Sequence, residues 1–290
     1  MMGSDSEVRT RLRAEVALGD EGMNLGRAAL LVAMEEYPQL PVERYLGRLD
    51  SLAEEVKDRL AGEDAPPVVL RELVETLYGR HRFRGNQENY YDPRNLFLND
   101  VLDRELGIPI TLGIVVLEVG WRLGLPLEGV HFPGHFLLRY RGEVMRLLVD
   151  PFREGEIRFE DQAQELLDRM YGGLVRLQPR FLQTAGRREM LLRVARNLKG
   201  IHLNRGDPVR ALRAVEQLLI VRPGVPAEER DRGILLARLG RTEEAAGVLE
   251  AFLEGEPGDP DVERVGRILE RLRRGRSEPR ENTPDEEGGG

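Results

Sequence analysis

His135 and Asp150 are the residues of this chain best suited to do chemistry. A histidine followed by a carboxylate on a neighbouring strand can work as base and orienter, because the carboxylate fixes the imidazole tautomer and stabilises the protonated ring. In thiol enzymes such a pair serves a cysteine, and the 290 residues of this chain include none. That absence excludes thiol nucleophiles, disulfides and thiolate metal sites together. A plain structural reading stands beside the chemical one: His135 packs within a strand and Asp150 caps the Asp-Pro turn.

The pattern around the pair dictates how it must be held. His135, Leu137 and Arg139 alternate with Phe136, Leu138 and Tyr140, Arg141-Gly142 turns the chain, and Val144 to Asp150 runs extended. A two-residue loop at Arg141-Gly142 sets His135 opposite Leu148, with Asp150 diagonal to it; a four-residue loop sets His135 opposite Asp150. Either register keeps both side chains on one face, whereas an odd loop separates them. Before this hairpin lies GIPITLGIVVLEVGWRLGLP, apolar nearly all round and therefore a buried helix. It starts near Pro109 to Thr111 and ends at Gly124 with Pro126 behind it, a cap residue followed by one that cannot continue the helix.

Upstream, Leu25, Ala28, Ala29, Val32 and Ala33 recur at helical spacing, as do Leu46, Leu49, Leu52, Ala53, Val56 and Leu60, with Tyr37-Pro38 between them. Gly62 to Pro67 reads as a loop and Val68 to Tyr78 as another helix. Asp92-Pro93 offers a helix start, with Leu98, Val101, Leu102, Glu105 and Leu106 following at helical spacing. Downstream, Gly206 and Gly240, Ala211 and Ala245, Leu219 and Leu253, and Pro223 and Pro257 are each 34 residues apart. That is the tetratricopeptide period, although His202 and Leu236 occupy its usual tyrosine position; a plain helical bundle is the alternative. Two repeats bury little surface alone, so this part is expected to lean on the core through Leu182 to Lys199.

The run YYDPRNLFLNDVLDRELGIPITLGIVVLEVGWRLGLPLEGVHFPGHFLLRY, continued by LLVDPF, resembles the bacterial SirB-type family, and the NLGRAALLVAMEEYPQLPVERYLGRLD opening fits it too. The resemblance spans most of residues 24 to 160. It implies an α+β fold: a papain-like, transglutaminase-like core with a helical N-terminal part, followed by an all-α tetratricopeptide-like domain. In that fold a buried helix carries a nucleophilic cysteine at its N-terminus, against a strand histidine and a following strand aspartate. His135 and Asp150 match the last two. The nucleophile position falls at Ile110 or Thr111, where the chain offers no thiol. A helix N-terminus can bring a thiol into the neutral range, but an unactivated threonine hydroxyl gains far too little from it. Thr111 reads better as a cap or core-edge residue.

The expected organisation is an N-terminal extension over 1–23, the core over 24–172, repeats over 173–274 and an acidic disordered tail over 275–290. Two readings of function follow. The first is a non-catalytic protein that binds a protein or peptide partner, the helical repeats supplying a contact surface. The alternative is an acyl-transfer or amide-hydrolysing enzyme using Thr111, water or a metal with the His135–Asp150 pair. His131, His135 and Asp150 are the candidate metal ligands, since 131 and 135 share strand parity, although Pro133-Gly134 interrupts the strand between them. No cofactor is expected. A net charge of −8 argues against nucleic acid and anionic membrane as partners. The absence of an apolar leader, with Glu118 and Arg122 interrupting the most apolar window, points to a cytoplasmic protein.

Overall fold

The computed structural model describes residues 2–142 and 145–277. Val144, expected to open a strand, and the part of the expected tail beyond Ser277 lie outside the described residues. Residues expected only as an N-terminal extension form two helices, α1 (Met2–Ala17) and α2 (Gly19–Gly22). Val8, Leu12 and Val16 lie four residues apart, so they make one stripe on α1, and all three are buried in the main core.

The helical part of the core follows the apolar periodicity. Asn24 caps α3 (Leu25–Ala33), its side chain accepting from Arg27 N at 2.7 Å. The α4 helix (Val42–Leu60) buries Leu46, Leu49, Leu52, Ala53 and Val56, while α5 (Pro66–Val74) continues into a π-helical turn over Glu75–Arg80. After β1 (Arg84–Gly85), Asp92 caps only a 3-10 turn, Pro93–Asn95, and α6 (Leu98–Arg104) starts afresh. The expected continuous helix from Asp92 is broken because Phe97 adopts extended backbone, which lets Leu96 and Phe97 both turn inward. Glu105, in left-handed backbone, ends α6, so Leu106 belongs to a short strand β2 (Leu106–Gly107) paired parallel with β1.

The buried helix is α7 (Pro109–Arg122). Its first residue is the proline, whose missing N–H costs nothing there, and residues 109–120 are buried throughout. A five-stranded antiparallel sheet follows: β3 (Leu127–Phe132), β4 (His135–Arg141), β5 (Arg146–Asp150) and β6 (Glu156–Phe159), with β7 (Thr184–Ala185) joining after α8 (Ala163–Tyr171). The order is β6-β5-β4-β3-β7. Alternation along the strands divides the core. Phe136, Leu138, Tyr140, Leu147 and Val149 pack with α7, whereas Val130, Phe132, Leu137 and Leu148 pack with Ala163, Leu166 and Leu167 on α8. Packing on both sides leaves β4 buried from His135 to Tyr140, including His135 and Arg139.

The 34-residue period appears as two helical hairpins, α9 (Arg187–Asn204) with α10 (Pro208–Val221), and α11 (Pro226–Arg238) with α12 (Thr242–Gly255). Gly206 and Gly240 make equivalent turns at φ of 68° and 72°. His202 and Leu236 are both buried before those turns, and Ala211 and Ala245 sit where the helices approach. A last helix, α13 (Val262–Ser277), extends past residue 275, where the tail was expected to begin. The fold class is therefore α+β, a mixed core followed by helices. The repeats do lean on the core: Met190, Leu191, Val194, Ala195 and Leu198 of α9 belong to the main cluster with α3 and α7 residues.

Candidate functional site

His135 opens β4 directly after a two-residue turn, Pro133-Gly134. Gly134 has φ of 64°, and a Cβ there would lie 2.5 Å from the Tyr171 hydroxyl, so backbone and space both require glycine. Across β4 and β5, Leu138 pairs with Val149 and Arg141 with Arg146. That register is neither of the two expected. Continued by one pair, it sets Asp150 opposite Leu137, so Asp150 lies one pair diagonal to His135. Because the shift is even, the shared face survives. His135 Nε2 meets Asp150 Oδ1 at 2.9 Å, with the residues only 8% and 2% exposed.

A carboxylate only accepts, so Nε2 carries the hydrogen and Nδ1 is the basic nitrogen of the neutral ring. Asp150 is itself fixed by the turn that follows: Oδ1 also accepts from Phe152 N at 3.0 Å and Arg153 N at 3.2 Å. Its second oxygen is buried without a hydrogen-bond partner, Arg153 Nε standing 3.9 Å away. Nearby, burial drives the Tyr78 hydroxyl far above its ordinary range and the Asp150 charge adds to the effect; Tyr78 donates to Pro151 O at 3.0 Å. The capping role and the histidine-orienting role of Asp150 thus coexist on one oxygen.

Thr111 is not joined to this pair. Its hydroxyl donates to Asn95 O at 2.6 Å and accepts from Ile108 N at 3.3 Å, and the residue is 1% exposed. Among the described residues no hydrogen bond links it to His135. Ile110 is equally buried and carries no polar atom. Asn95, absent from the sequence-based candidates, organises this corner: its side-chain amide donates to Asn89 O and Tyr90 O while its backbone carbonyl accepts from the Thr111 hydroxyl.

His131 does not complete a metal site. Pro133-Gly134 ends one strand and starts another, so parity does not run through it. His131 pairs with Phe136 and Phe132 with His135, which places the two histidines on opposite faces. Among the described residues no group of three or more His, Asp or Glu side chains could hold a metal ion. His131 instead sits beside α9, where burial lowers its pKa, Glu189 opposes that shift, and Arg193 and Arg196 reinforce it.

The remaining wall of the site was not anticipated. Phe152 stacks edge-on against His135 at 6.3 Å and against Tyr90 at 5.8 Å, and it lies over Gly85, where a Cβ would meet the ring at 2.4 Å. Arg193 donates to His135 O at 2.8 Å, and its guanidinium covers the Phe136 ring at 5.5 Å. In a chain whose 43 basic residues include only two lysines, one more arginine on a helix carries no signal of its own.

Comparison with known sequences decides the family. A model of the transglutaminase-like superfamily matches residues 43–196. The chain belongs to that superfamily. A tetratricopeptide-repeat model matches residues 198–270, so this transglutaminase-like chain passes from core to repeats within α9. Relatives include a UPF0162 protein of Xylella fastidiosa strain 9a5c, 34% identical over 85% of this chain and 89% of the relative. A UPF0162 protein of Vibrio cholerae is 32% identical over 84% and 90% of the two chains, and UPF0162 protein YchA of Escherichia coli K12 is 32% identical over 84% and 89%. No solved structure matches the chain.

Proposed function

We propose that this transglutaminase-like chain works by binding rather than by covalent catalysis, holding a protein or peptide partner with its tetratricopeptide helices and the neighbouring His135–Asp150 corner. The observation that carries the reading is the commitment of the Thr111 hydroxyl to Asn95 O in a chain without cysteine. A His–Asp pair activates only a nucleophile within its reach. Stacked helix pairs, by contrast, present surfaces suited to partners. A cleft of about 460 Å³ between α11 and α12, with Arg232, Val248, Ala251 and Phe252 among its walls, is one such surface.

The likeness to SirB-type proteins and the cytoplasmic location belong to this same reading. Among the described residues no helix is long and apolar enough to cross a membrane. Two experiments test the proposal together. Ala251→Arg places a long charged side chain in the repeat cleft from an exposed position and is expected to weaken capture of a native partner by the full chain. Ester and glutamine-amide hydrolysis by wild type and His135→Ala should be the same. His135-dependent turnover supports the acyl-transfer alternative instead.

A further inference from the structure

β6 is the outermost strand of the five-stranded sheet, with β5 as its neighbour on one side. The ladder fixes which of its backbone groups face outward. Gly142 N donates to Met145 O, so alternate pairs inward from that turn, Tyr140 with Leu147 and Leu138 with Val149, exchange the hydrogen bonds between β4 and β5. Leu148 and Asp150 therefore turn theirs toward β6, where they meet Arg158 and Glu156. Ile157 and Phe159 are left with their backbone groups pointing away from the sheet. The Phe159 N–H is consistent with that direction, since it donates to the Gln162 side chain at 3.1 Å instead of to the ladder. Among the described residues the N–H and C=O of Ile157 have no partner on this outer side.

The side chains on this edge are apolar as well. Ile157 and Phe159 lie opposite Val149 and Leu147, which pack with α7, yet at the edge they are 37% and 55% exposed. Edge strands are ordinarily blunted by charges or proline, because free backbone groups beside apolar side chains are a template for another strand. At its start β6 leads into a cleft of about 730 Å³, where Glu156 is joined by Glu88, Glu154, Arg84 and Arg153. Glu156 is paired with Arg158, and Arg153 stands 3.9 Å from Asp150. Among the described residues Glu88, Glu154 and Arg84 have no ion pair, so two carboxylates face one guanidinium and the cleft keeps a surplus of negative charge.

We infer that the β6 edge takes an extended segment of a peptide partner as a further strand, with apolar side chains at alternate positions beside Ile157 and Phe159 and a lysine or arginine beyond them in the Glu88–Glu154 cleft. Two main-chain hydrogen bonds to Ile157 set the register of such a segment, and strand alternation brings every second side chain to the Ile157 face. The surplus carboxylate selects a cation at the cleft end, since matched charge across an interface favours the right partner and a like charge is repelled. The edge begins opposite Asp150, beside the corner already assigned to the partner. The assignment rests on the reading of this chain as a peptide binder and adds how the peptide is held and what it carries.

The test uses the full chain and the peptide N-acetyl-Lys-Thr-Val-Thr-Val-Thr-Lys-amide, whose lysine at each end serves either strand direction. In an NMR titration the Ile157 amide signal is expected to shift saturably and its hydrogen exchange to slow. The counterpart with glutamate at both ends should bind about tenfold more weakly. N-methylation of both valines, which removes the peptide donors and leaves the protein untouched, should abolish binding. Ile157→Pro removes the outward N–H without touching the bonds to β5 and should abolish it too. Glu88→Gln combined with Glu154→Gln should erase the preference for lysine over glutamate. Equal binding of the two peptides, binding unchanged by N-methylation or in Ile157→Pro, or a wild-type dimer in sedimentation that Ile157→Pro turns into monomer overturns the assignment, the last giving the edge to a second copy of the chain. The two proposals fail separately. Partner capture lost in Ala251→Arg but untouched by Ile157→Pro leaves the binding reading standing and removes the edge site; peptide binding at Ile157 together with His135-dependent hydrolysis keeps the edge site and removes the binding-only reading.

Discussion

Replacing Thr111 with valine exchanges a hydroxyl for a methyl at nearly constant shape, and the structure assigns a cost to that exchange. The side chain is 1% exposed, so solvent cannot compensate. Valine leaves Asn95 O without the donor now 2.6 Å away and Ile108 N without the acceptor at 3.3 Å. A buried group losing its partner costs about 1–3 kcal/mol, and the shorter Asn95 bond carries most of that here. For a domain of this size each kcal/mol moves Tm by about 2–4 °C. Thermal unfolding of the full chain should therefore show Thr111→Val melting lower by roughly 2–12 °C. The His135 side-chain resonances should stay in place, because no hydrogen bond joins the two residues. Unchanged stability with displaced His135 signals refutes the reasoning, since the hydroxyl would then belong to the histidine and not to Asn95.

Other substitutions test the surrounding geometry. Asp150→Ala removes the acceptor of three hydrogen bonds from a buried position and is expected to destabilise the chain by about 3 kcal/mol in urea unfolding, with Asp150→Asn clearly milder. Gly134→Ala should cost about 1–2 kcal/mol from its left-handed backbone, and more from the Tyr171 clash. Adding Tyr171→Phe should recover the clash portion only, a non-additivity that a double-mutant cycle measures. Burial holds the His202 imidazole below its ordinary range, Arg210 and Arg205 adding to the shift while Asp207 and Glu36 oppose it. The unfolded chain thus takes up a proton near pH 6.5 that the folded chain refuses, so this contribution to stability is fully present above about 6.5 and falls away as pH drops below it. His202→Leu, the residue at the equivalent place in the second repeat, should flatten the loss between pH 7.5 and 5.5; an unchanged slope removes His202 from the account.

Much of the fold was legible because periodicity and caps report local backbone needs. Pro109 and Gly124 bracket the buried helix where the sequence places it, and the 34-residue spacing of Gly206 and Gly240 reappears as two equivalent turns. The His135–Asp150 contact was legible in kind but not in register, since strand alternation fixes the face while the turn position fixes the pairing. The interruption at Pro133-Gly134 was legible in the sequence, but only the pairing of His131 with Phe136 and of Phe132 with His135 shows that it is a hairpin turn that sets the two histidines on opposite faces. The stripe of Val8, Leu12 and Val16 was present in the sequence, but it packs on α3 and also on α10, and the latter, some two hundred residues away, leaves no local trace. Arg193 and Asn95 are of the same kind: their importance lies in what tertiary packing brings to them, the His135 carbonyl in one case and the Thr111 hydroxyl in the other.

The central claim is that the His135–Asp150 pair has no nucleophile to serve. Intact-mass spectrometry of the full chain after incubation with an activated acyl ester and with a glutamine-containing peptide tests it most directly. Binding without covalent catalysis predicts no acyl adduct at Thr111 and no product whose formation depends on His135. An adduct mapped to Thr111, lost in His135→Ala, would contradict the account.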